Sequence, residues 1–210
     1  MNIGLIDVDG KMPNLALMKI SAWHKKQGDS VEWYNGLCKY DKVYMSKVFT
    51  FTEDYSYYIN AGIIEKGGTG YDFFKELPVD IDRTFPDYSI YRVDANLAYG
   101  FLTRGCPNRC KWCIVPRKEG DIRPYMDIGE ITGNRKKAIL MDNNVLACDY
   151  GLQQIEKIIK MKIKVDFNQA LDARLVNEET ASMLARVKWI DRIRFGCDTL
   201  AQVEECEKAI

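Results

Sequence analysis

The chain has 210 residues, 47% of them hydrophobic, which is enough to bury a sizeable core in one large domain or two small ones. Its 30 basic residues balance 30 acidic ones, so a net charge of zero gives no electrostatic footprint for nucleic acid or a membrane surface. No apolar run approaches the roughly 20 residues that span a bilayer.

The cysteine content points to a reducing compartment. The chain has seven cysteines, an odd number. Its first ten residues hold two aspartates and lack the basic start of a secretory signal. Cysteines without a secretory signal favour metal binding or catalysis over disulfides. We therefore expect a cytoplasmic protein.

The first half of the chain is expected to form a small parallel βα layer. Pro13 can occupy the first turn of a helix, and Gly28 can end that helix. Parallel strands need such helices as crossovers. The predicted strands are 2–7, 30–35, 42–49 and the start of 59–72, which runs into the glycine-rich stretch 67–70.

The segment 77–96 breaks this pattern with two prolines and several aspartates. Such a change in composition is typical of a linker or of an edge between domains. The sequence therefore predicts a boundary near Asp87. One domain would cover residues 1–86 and the other 87–210.

The second half predicts four βα units in succession, which completes an α/β fold. The strands are expected at 98–104, 137–142, 164–169 and 192–198. Helices are expected at 149–162, 177–187 and 199–210, the second with Asn177 as its N-cap. The first of these strands runs directly into a cluster of cysteines.

That cluster is the C-x3-C-x2-C spacing of Cys106, Cys110 and Cys113. Thiolates at such short spacing can converge on one inorganic centre. Structural zinc is usually closed by four ligands, and a second pair is missing here. A [4Fe–4S] cluster held by three cysteines instead leaves one iron open. Structural zinc and free thiols are the alternative interpretations.

The motif resembles the C-x3-C-x-Φ-C signature of the radical S-adenosylmethionine (radical SAM) enzymes, with Trp112 as the aromatic residue. The resemblance implies a partial parallel barrel. It also implies a three-cysteine [4Fe–4S] cluster that cleaves S-adenosylmethionine reductively to a 5′-deoxyadenosyl radical, which abstracts hydrogen from a substrate not identifiable from the sequence. A low-potential electron donor such as flavodoxin or ferredoxin would be the partner.

The ends of the next two strands supply the other expected cofactor contacts. By position in the family, Asp142, Asn143 and Asn144 would contact the methionyl amine, although they depart from the common Gly-Gly-Glu form. An Asx turn is the alternative. After the third strand, Asn168, Gln169 and Arg174 are expected to face the cofactor or substrate. A surface pair between Arg174 and Asp172 is the alternative there.

The fourth predicted strand places Arg194 towards the barrel lumen, where it could receive a carboxylate. Asp198 is expected to be the N-cap of the following helix. Cys197 and Cys206 are not expected to hold an auxiliary cluster, because Cys206 lies on a helical apolar stripe. Cys148 is the extra thiol expected closest to the site.

The first domain resembles the Rossmann-like, cobalamin-binding type of domain that precedes many radical SAM domains. Its glycine-rich stretch could approach a cofactor. The usual Asp-x-His-x-x-Gly pattern is absent, since Ala22 precedes His24 in place of the aspartate. We therefore expect a degenerate domain without cobalamin. The methylthiotransferases are set aside, because their first domain carries three cysteines and this one has only Cys38.

Four strands would leave the barrel open at the strand carrying 192–198. Two expectations follow: the chain is a fragment of a longer protein, or a second copy covers the edge by self-association. The alternative function is a non-catalytic module that binds zinc, an iron–sulfur cluster or S-adenosylmethionine. Neither nucleic acid nor a membrane is expected as a partner.

Overall fold

The computed structural model describes residues 1–10 and 12–209, and it divides into two compact units, Met1–Val93 and Asp94–Ile210. Each unit is mixed α/β with a parallel sheet. The boundary expected near Asp87 falls inside the first unit. The segment around it is not an open linker, because Ile81 is buried and Leu77 and Ile90 pack against the core of that unit.

The first unit is built on four parallel strands in the order β2-β1-β3-β4. Its strands are β1 Asn2–Asp7, β2 Ser30–Trp33, β3 Tyr40–Ser46 and β4 Ala61–Gly67. The strand expected at 42–49 begins two residues earlier and ends at Ser46, after which the chain leaves the sheet.

Helix α1, Leu15–Lys26, connects β1 to β2. Its N-cap is Asn14, whose side chain accepts hydrogen bonds from the backbone of Ala16 and Leu17. Pro13 therefore precedes the cap and does not occupy the first helical turn as predicted. The short helix α2, Val79–Asp82, and a 3₁₀ turn at Tyr88–Ile90 follow later.

Both faces of the first sheet are covered. The face towards α1 buries one cluster: Ile3, Leu5, Leu17, Ile20, Tyr44 and Ile81. The opposite face buries a second, made of Ile6, Tyr40, Val43 and Met45. Tyrosines of the connecting loops, including Tyr34, Tyr55 and Tyr71, pack against this second cluster.

The second unit contains more and shorter elements. Its strands are β5 Leu97–Gly100, β6 Thr103–Arg104, β7 Arg123–Pro124, β8 Lys137–Leu140, β9 Lys164–Phe167, β10 Leu171–Asp172, β11 Lys188–Trp189 and β12 Phe195–Gly196. Its helices are α3 Val115–Lys118, α4 Ile128–Thr132, α5 Asp149–Met161, α6 Glu178–Ala185 and α7 Val203–Lys208. Three 3₁₀ turns lie at Val145–Ala147, Ala173–Leu175 and Leu200–Gln202.

The main sheet of this unit is parallel, in the order β11-β9-β8-β5. Helices α4, α5 and α6 lie in the three connections between its successive strands. The predicted cap Asn177 is confirmed: it forms a reciprocal capping box with Thr180 at the start of α6. The core of this unit includes Ala138, Leu140, Ile155, Ile158, Val165 and Phe167.

Two predicted strands are wrong in detail. The strand expected at 98–104 breaks into β5 and β6, and β6 pairs antiparallel with β7. The strand expected at 192–198 shrinks to β12, which pairs with β10 in a separate two-stranded sheet. The edge of the main sheet is instead β11, which the apolar pattern did not predict.

The predicted helix 199–210 is a 3₁₀ turn followed by α7, and its last position lies outside the described residues. Within the part of the chain that the structure describes, no helix combines the length and apolar character needed to cross a membrane.

Candidate metal and cofactor site

The candidate site lies where three adjacent parallel strands end. Strands β5, β8 and β9 are neighbours, so the segments that follow them leave the same carboxyl edge of the sheet. These segments are the cysteine loop, residues 141–144 and residues 168–174. Ligand sites of parallel α/β sheets form at this edge.

The cysteine loop is closed at its base by the β6–β7 pair, in which Arg104 lies opposite Arg123. The Cys106 backbone donates to the Gly120 carbonyl across 3.2 Å. Gly105 has φ +82°, and a Cβ there would lie 2.2 Å from the Asp121 carbonyl oxygen. Only glycine fits this position, which turns the chain into the cysteine motif.

Glu119 ties the loop to its surroundings. Its carboxylate accepts hydrogen bonds from the Gly105 backbone at 2.9 Å, from Arg104 at 2.7 Å and from the Asn143 side chain at 3.0 Å. The Arg104 guanidinium in turn lies over the Phe101 ring, 4.0 Å from its centroid. No local sequence pattern predicts this role for Glu119, because its partners come from two segments that are distant from it in sequence.

The three motif cysteines are unpaired thiols. Cys106 is buried, whereas Cys110 and Cys113 are half-buried. The Cys113 backbone donates to the Cys110 carbonyl across 3.0 Å, which brings the second and third cysteines into one tight turn. Three thiols on one loop have the donor chemistry of an iron–sulfur site. Within residues 1–10 and 12–209, no three His, Cys, Asp or Glu side chains form a group arranged to hold a metal ion.

Asp142 is 2% exposed and binds backbone far from it in sequence. Its Oδ1 accepts from the Leu102 backbone at 3.1 Å and from the backbone and hydroxyl of Thr103 at 2.6 and 2.8 Å. The Asx turn weighed for this segment is therefore not what holds Asp142. Burial raises the pKa of its carboxyl to about 6, although these hydrogen bonds oppose the shift.

Asn144 connects the first cysteine to the end of the third strand. Its side-chain amide nitrogen lies 3.7 Å from the Cys106 sulfur and 3.0 Å from Asp172 Oδ2, to which it donates. The residue is only 3% exposed. Its Oδ1 is buried without a hydrogen-bond partner. An unpartnered buried oxygen is costly and leaves an acceptor beside the cysteine for a ligand.

Asp172 collects donors from all three segments of the site. In addition to Asn144, it accepts from Asn108 of the cysteine loop at 2.9 Å and pairs with Arg174 through two hydrogen bonds of 2.7 Å. Burial alone would raise the pKa of Asp172, but the bonds from Arg174 and Asn108 outweigh it and the pKa is lowered. The surface pair considered for Arg174 is thus part of a larger network.

Arg174 also acts electrostatically on the cysteines. The bond to Asp172 raises the pKa of Arg174, and Cys110 and Cys106 contribute in the same direction. The guanidinium is therefore within electrostatic reach of two motif thiols. A fixed positive charge near the motif favours an anionic centre held by these cysteines.

The remaining expected contacts are more exposed. The Trp112 side chain is 63% exposed. Asn168 is half-buried, and the exposed Gln169 donates to its Oδ1 across 3.3 Å. Ala170, which follows them, has φ +69°, so the chain turns sharply between β9 and β10.

Two expectations about the fourth unit are wrong. Arg194 is not a spare cation, because it forms an ion pair with Asp166 and lies 3.3 Å from Asp191. The cap after β12 is not Asp198. Thr199 forms a capping box with Gln202 at the following 3₁₀ turn.

The extra thiol expected near the site has a structural role. Cys148 is the N-cap of α5, and its sulfur accepts from the Gly151 backbone at 3.4 Å. In the other unit, Cys38 is an exposed thiol in a turn.

In the first unit, the histidine and the glycine-rich stretch are engaged by protein. His24 is 1% exposed, with Nδ1 2.6 Å from Asp29 Oδ2 and Nε2 2.9 Å from the Tyr44 hydroxyl. Gly68 has φ +88°, and a Cβ there would lie 2.4 Å from the Lys47 carbonyl oxygen. These glycines allow two loops to pack together, which differs from the approach to a cofactor that the sequence suggested.

No family model matches the chain, and no curated protein shows a significant match to it. The chemistry of the site therefore rests on the residues themselves.

Proposed function

We propose that the protein is a radical SAM enzyme. The observation that carries this proposal is that three unpaired cysteines, Cys106, Cys110 and Cys113, share one pinned loop at the carboxyl edge of a parallel sheet, next to Asn144 and Arg174. The spacing of these cysteines, their common loop and its position at the sheet edge fit a cluster with one open iron better than a closed, four-ligand zinc site.

The three cysteines would hold the cluster. When bound, a [4Fe–4S] cluster of this kind supplies an open iron for S-adenosylmethionine and the electron that cleaves its sulfonium bond, which leaves a 5′-deoxyadenosyl radical. The protein's own contribution is binding, charge and exclusion of water. The positive charge of Arg174 would favour the anionic centre, and the burial of Cys106 would help to exclude water from it.

Asn144 is the residue best suited to a direct cofactor contact. Its spare Oδ1 accepts hydrogen bonds and would suit the methionyl ammonium. Asp142 would act indirectly, since it holds the backbone of residues 102–103 and thereby the base of the cysteine loop. Asn143 would do the same through Glu119. Trp112, Asn168 and Gln169 stay proposed contacts at the exposed rim of the site.

The arrangement of strands supports the family assignment of both units. In the second unit, β5, β8, β9 and β11 are added in chain order and in parallel, as in the first part of a βα barrel. In the first unit, the parallel order β2-β1-β3-β4, with α1 between β1 and β2, is compatible with a Rossmann-like sheet. We propose that this unit binds no cobalamin, because both ring nitrogens of His24 have protein partners.

The partners follow from the chemistry. A low-potential donor such as flavodoxin or ferredoxin would reduce the cluster in a reducing, cytoplasmic setting. Seven free cysteines suit that compartment. Strand β11 is a sheet edge, and an open edge can pair with a second copy of the chain.

A second candidate function is a metal-binding module without turnover. It is favoured by the contacts of Asp142 and Asn143, whose side chains already bind protein groups at the position where the family contacts the methionyl amine. Such a module would hold a cluster and would not cleave S-adenosylmethionine.

Anaerobic reconstitution with ferrous iron and sulfide separates these functions. A radical SAM enzyme should take up about four irons per chain and, after reduction, release 5′-deoxyadenosine from S-adenosylmethionine. Alanine at Cys106, Cys110 or Cys113 should abolish both, whereas Cys38→Ala is the matched control that should abolish neither. Iron uptake without 5′-deoxyadenosine would support the second candidate. Stoichiometric zinc with no iron uptake would contradict both the cluster and the enzyme.

A further inference from the structure

Two cysteines outside the motif lie together at the end of the second unit. Cys197 follows β12 and Cys206 lies in α7. The Cys206 thiol donates to the Gly196 carbonyl across 3.4 Å, which brings it to the backbone of the residue next to Cys197. The Cys197 sulfur lies 4.0 Å from the Thr199 carbonyl oxygen, on the same short segment. Both are free thiols, Cys197 exposed and Cys206 half-buried.

We propose that Cys197 and Cys206 are a dithiol that hydrogen peroxide oxidises reversibly to a disulfide. The Cys206 thiol already lies against the backbone of Gly196, which precedes Cys197, so little backbone movement is needed to join the two sulfurs. The exposed Cys197 is the sulfur that an oxidant can reach first. No third His, Cys, Asp or Glu joins them in a group suited to a metal ion within the described residues, so oxidation explains the pair better than an auxiliary metal.

The reaction balances with peroxide as the only oxidant. The Cys197 sulfur, as thiolate, attacks one peroxide oxygen; the O–O bond breaks and the leaving hydroxide takes a proton to become water. The Cys206 sulfur then displaces the hydroxyl from the Cys197 sulfenic acid; the S–S bond forms, the S–O bond breaks and a second water leaves with the Cys206 proton. The two thiols lose two electrons, which reduce one peroxide to two waters.

The surroundings of Cys206 disfavour its thiolate form. Burial raises the pKa of Cys206, and the neighbouring Cys197 and the carboxylates of Asp172 and Asp198 add to the effect. Formation of the disulfide should therefore be faster at alkaline pH, where the Cys206 thiolate forms.

A disulfide here would fasten the last helix to the candidate site. Helix α7 packs on the 3₁₀ turn Ala173–Leu175, which contains Arg174. Strand β12, immediately before Cys197, pairs with β10, which contains Asp172. The new bond would join the two elements that flank the Asp172–Arg174 pair. We expect slower amide exchange in 171–175 and 195–209 after oxidation.

Mass spectrometry of the full chain tests the proposal without any readout through the cluster. Anaerobically purified protein would be exposed to graded hydrogen peroxide, alkylated with iodoacetamide and digested with trypsin. Cleavage after Arg194 and Lys208 leaves both cysteines in the single peptide 195–208. This peptide should become resistant to alkylation and lighter by two hydrogen atoms, and dithiothreitol should reverse both changes.

Single substitutions make the result specific. Cys197→Ser and Cys206→Ser should each abolish the lighter, unalkylated peptide, whereas Cys38→Ser should leave it unchanged. Circular dichroism would check that each variant is folded. The proposal is overturned if wild-type protein keeps both cysteines alkylatable at a peroxide concentration that oxidises Cys38. It is equally overturned if the two sulfurs reach sulfinic acid separately or pair with other cysteines.

Discussion

The side-chain amide of Asn144 lies 3.7 Å from the sulfur of Cys106 and points one buried donor at the first cysteine of the motif. The other end of the same amide, Oδ1, has no hydrogen-bond partner. A residue that is nearly buried rarely keeps an unpartnered oxygen unless a ligand or water completes it. This makes Asn144 the most informative position at which to test cofactor binding.

Asn144→Ala should weaken the binding of S-adenosylmethionine to reconstituted protein by about 5- to 10-fold, the value of one lost hydrogen bond. Iron content should stay at the wild-type level, because the cysteines are intact. Isothermal titration under anaerobic conditions measures the affinity. Asn35→Ala is the matched control and should keep the wild-type affinity, since Asn35 accepts a hydrogen bond from the Leu37 backbone in an exposed turn of the first unit. Equal affinity in wild type and Asn144→Ala would refute the acceptor role.

The role of Gly105 at the base of the cysteine loop can be tested by comparing it with Gly120, since both glycines have a left-handed backbone conformation. Gly105 has φ +82° and no room for a Cβ, whereas Gly120 has φ +74° and nothing within 4 Å. Gly120→Ala should cost about 1 kcal/mol through backbone strain alone. Gly105→Ala should cost at least about 2 kcal/mol more and should lower iron uptake, because the loop can no longer close against Asp121.

Urea unfolding of both variants measures the loss of stability, and iron analysis measures the uptake of iron. If the two substitutions have equal effects on stability and on iron content, the close approach of Gly105 to Asp121 does not organise the cysteine motif.

Because Asp142 is buried, we predict that the free energy of unfolding falls as the pH rises, the opposite of the usual effect of a carboxylate. Burial raises the pKa of its carboxyl to about 6, so the folded protein keeps a proton that the unfolded chain has already released at about pH 4 to 6. Stability is therefore lost as the pH rises through this range, by about 3 kcal/mol for a shift of about two pKa units. Asp142→Asn cannot ionise and should lack this loss.

The measurement is urea unfolding of wild type and Asp142→Asn between about pH 4 and pH 7. The free energy of unfolding of wild type should fall relative to that of the variant as the pH rises. Parallel curves would show that Asp142 titrates normally in the folded protein.

Parts of this site were accessible from the sequence and parts were not. The cysteine spacing and the polar residues after β8 and β9 are local patterns, and they indicated Asn144 and Arg174. Glu119 and Asn108 were missed, because their roles depend on contacts across the fold that no local pattern encodes. Strand β11 was missed because two residues are too short for an alternating pattern. The longer alternation in 192–198 suggested a strand that the structure largely lacks.

Asp172 should show the opposite pH dependence to Asp142. Its pKa is lowered, so its stabilising effect is present above its ordinary pKa of about 4 and is lost as the pH falls through the folded value. Asp172→Asn should cost about 1 to 3 kcal/mol at neutral pH, because Arg174, Asn108 and Asn144 lose their common carboxylate. The difference should shrink in acid.

The matched control is Asp121→Asn, which breaks an exposed ion pair with Arg109 and should cost under about 1 kcal/mol. Unfolding curves at neutral and acidic pH compare the two. Equal costs for the two variants would mean that the Asp172 network adds nothing beyond an ordinary surface pair.

His24 offers a test confined to the first unit. It is nearly inaccessible, and it lies between Asp29 and Tyr44 with a hydrogen-bond partner on each ring nitrogen. His24→Gln should destabilise this unit by about 2 to 4 kcal/mol, because a buried polar group is left with imperfect partners. Tyr44→Phe removes only one of the two bonds and should cost about 1 kcal/mol.

Neither substitution should change iron uptake, since the motif cysteines belong to the other unit. Differential scanning calorimetry would measure the lost stability, and iron analysis of reconstituted protein would measure metal uptake by the motif cysteines. Suppose that His24→Gln lowered the iron content and Tyr44→Phe did not. His24 would then act on the metal centre, and its burial in the first unit would not explain its role. Unchanged stability in His24→Gln would instead show that the pair of hydrogen bonds to Asp29 and Tyr44 contributes nothing to the fold of that unit.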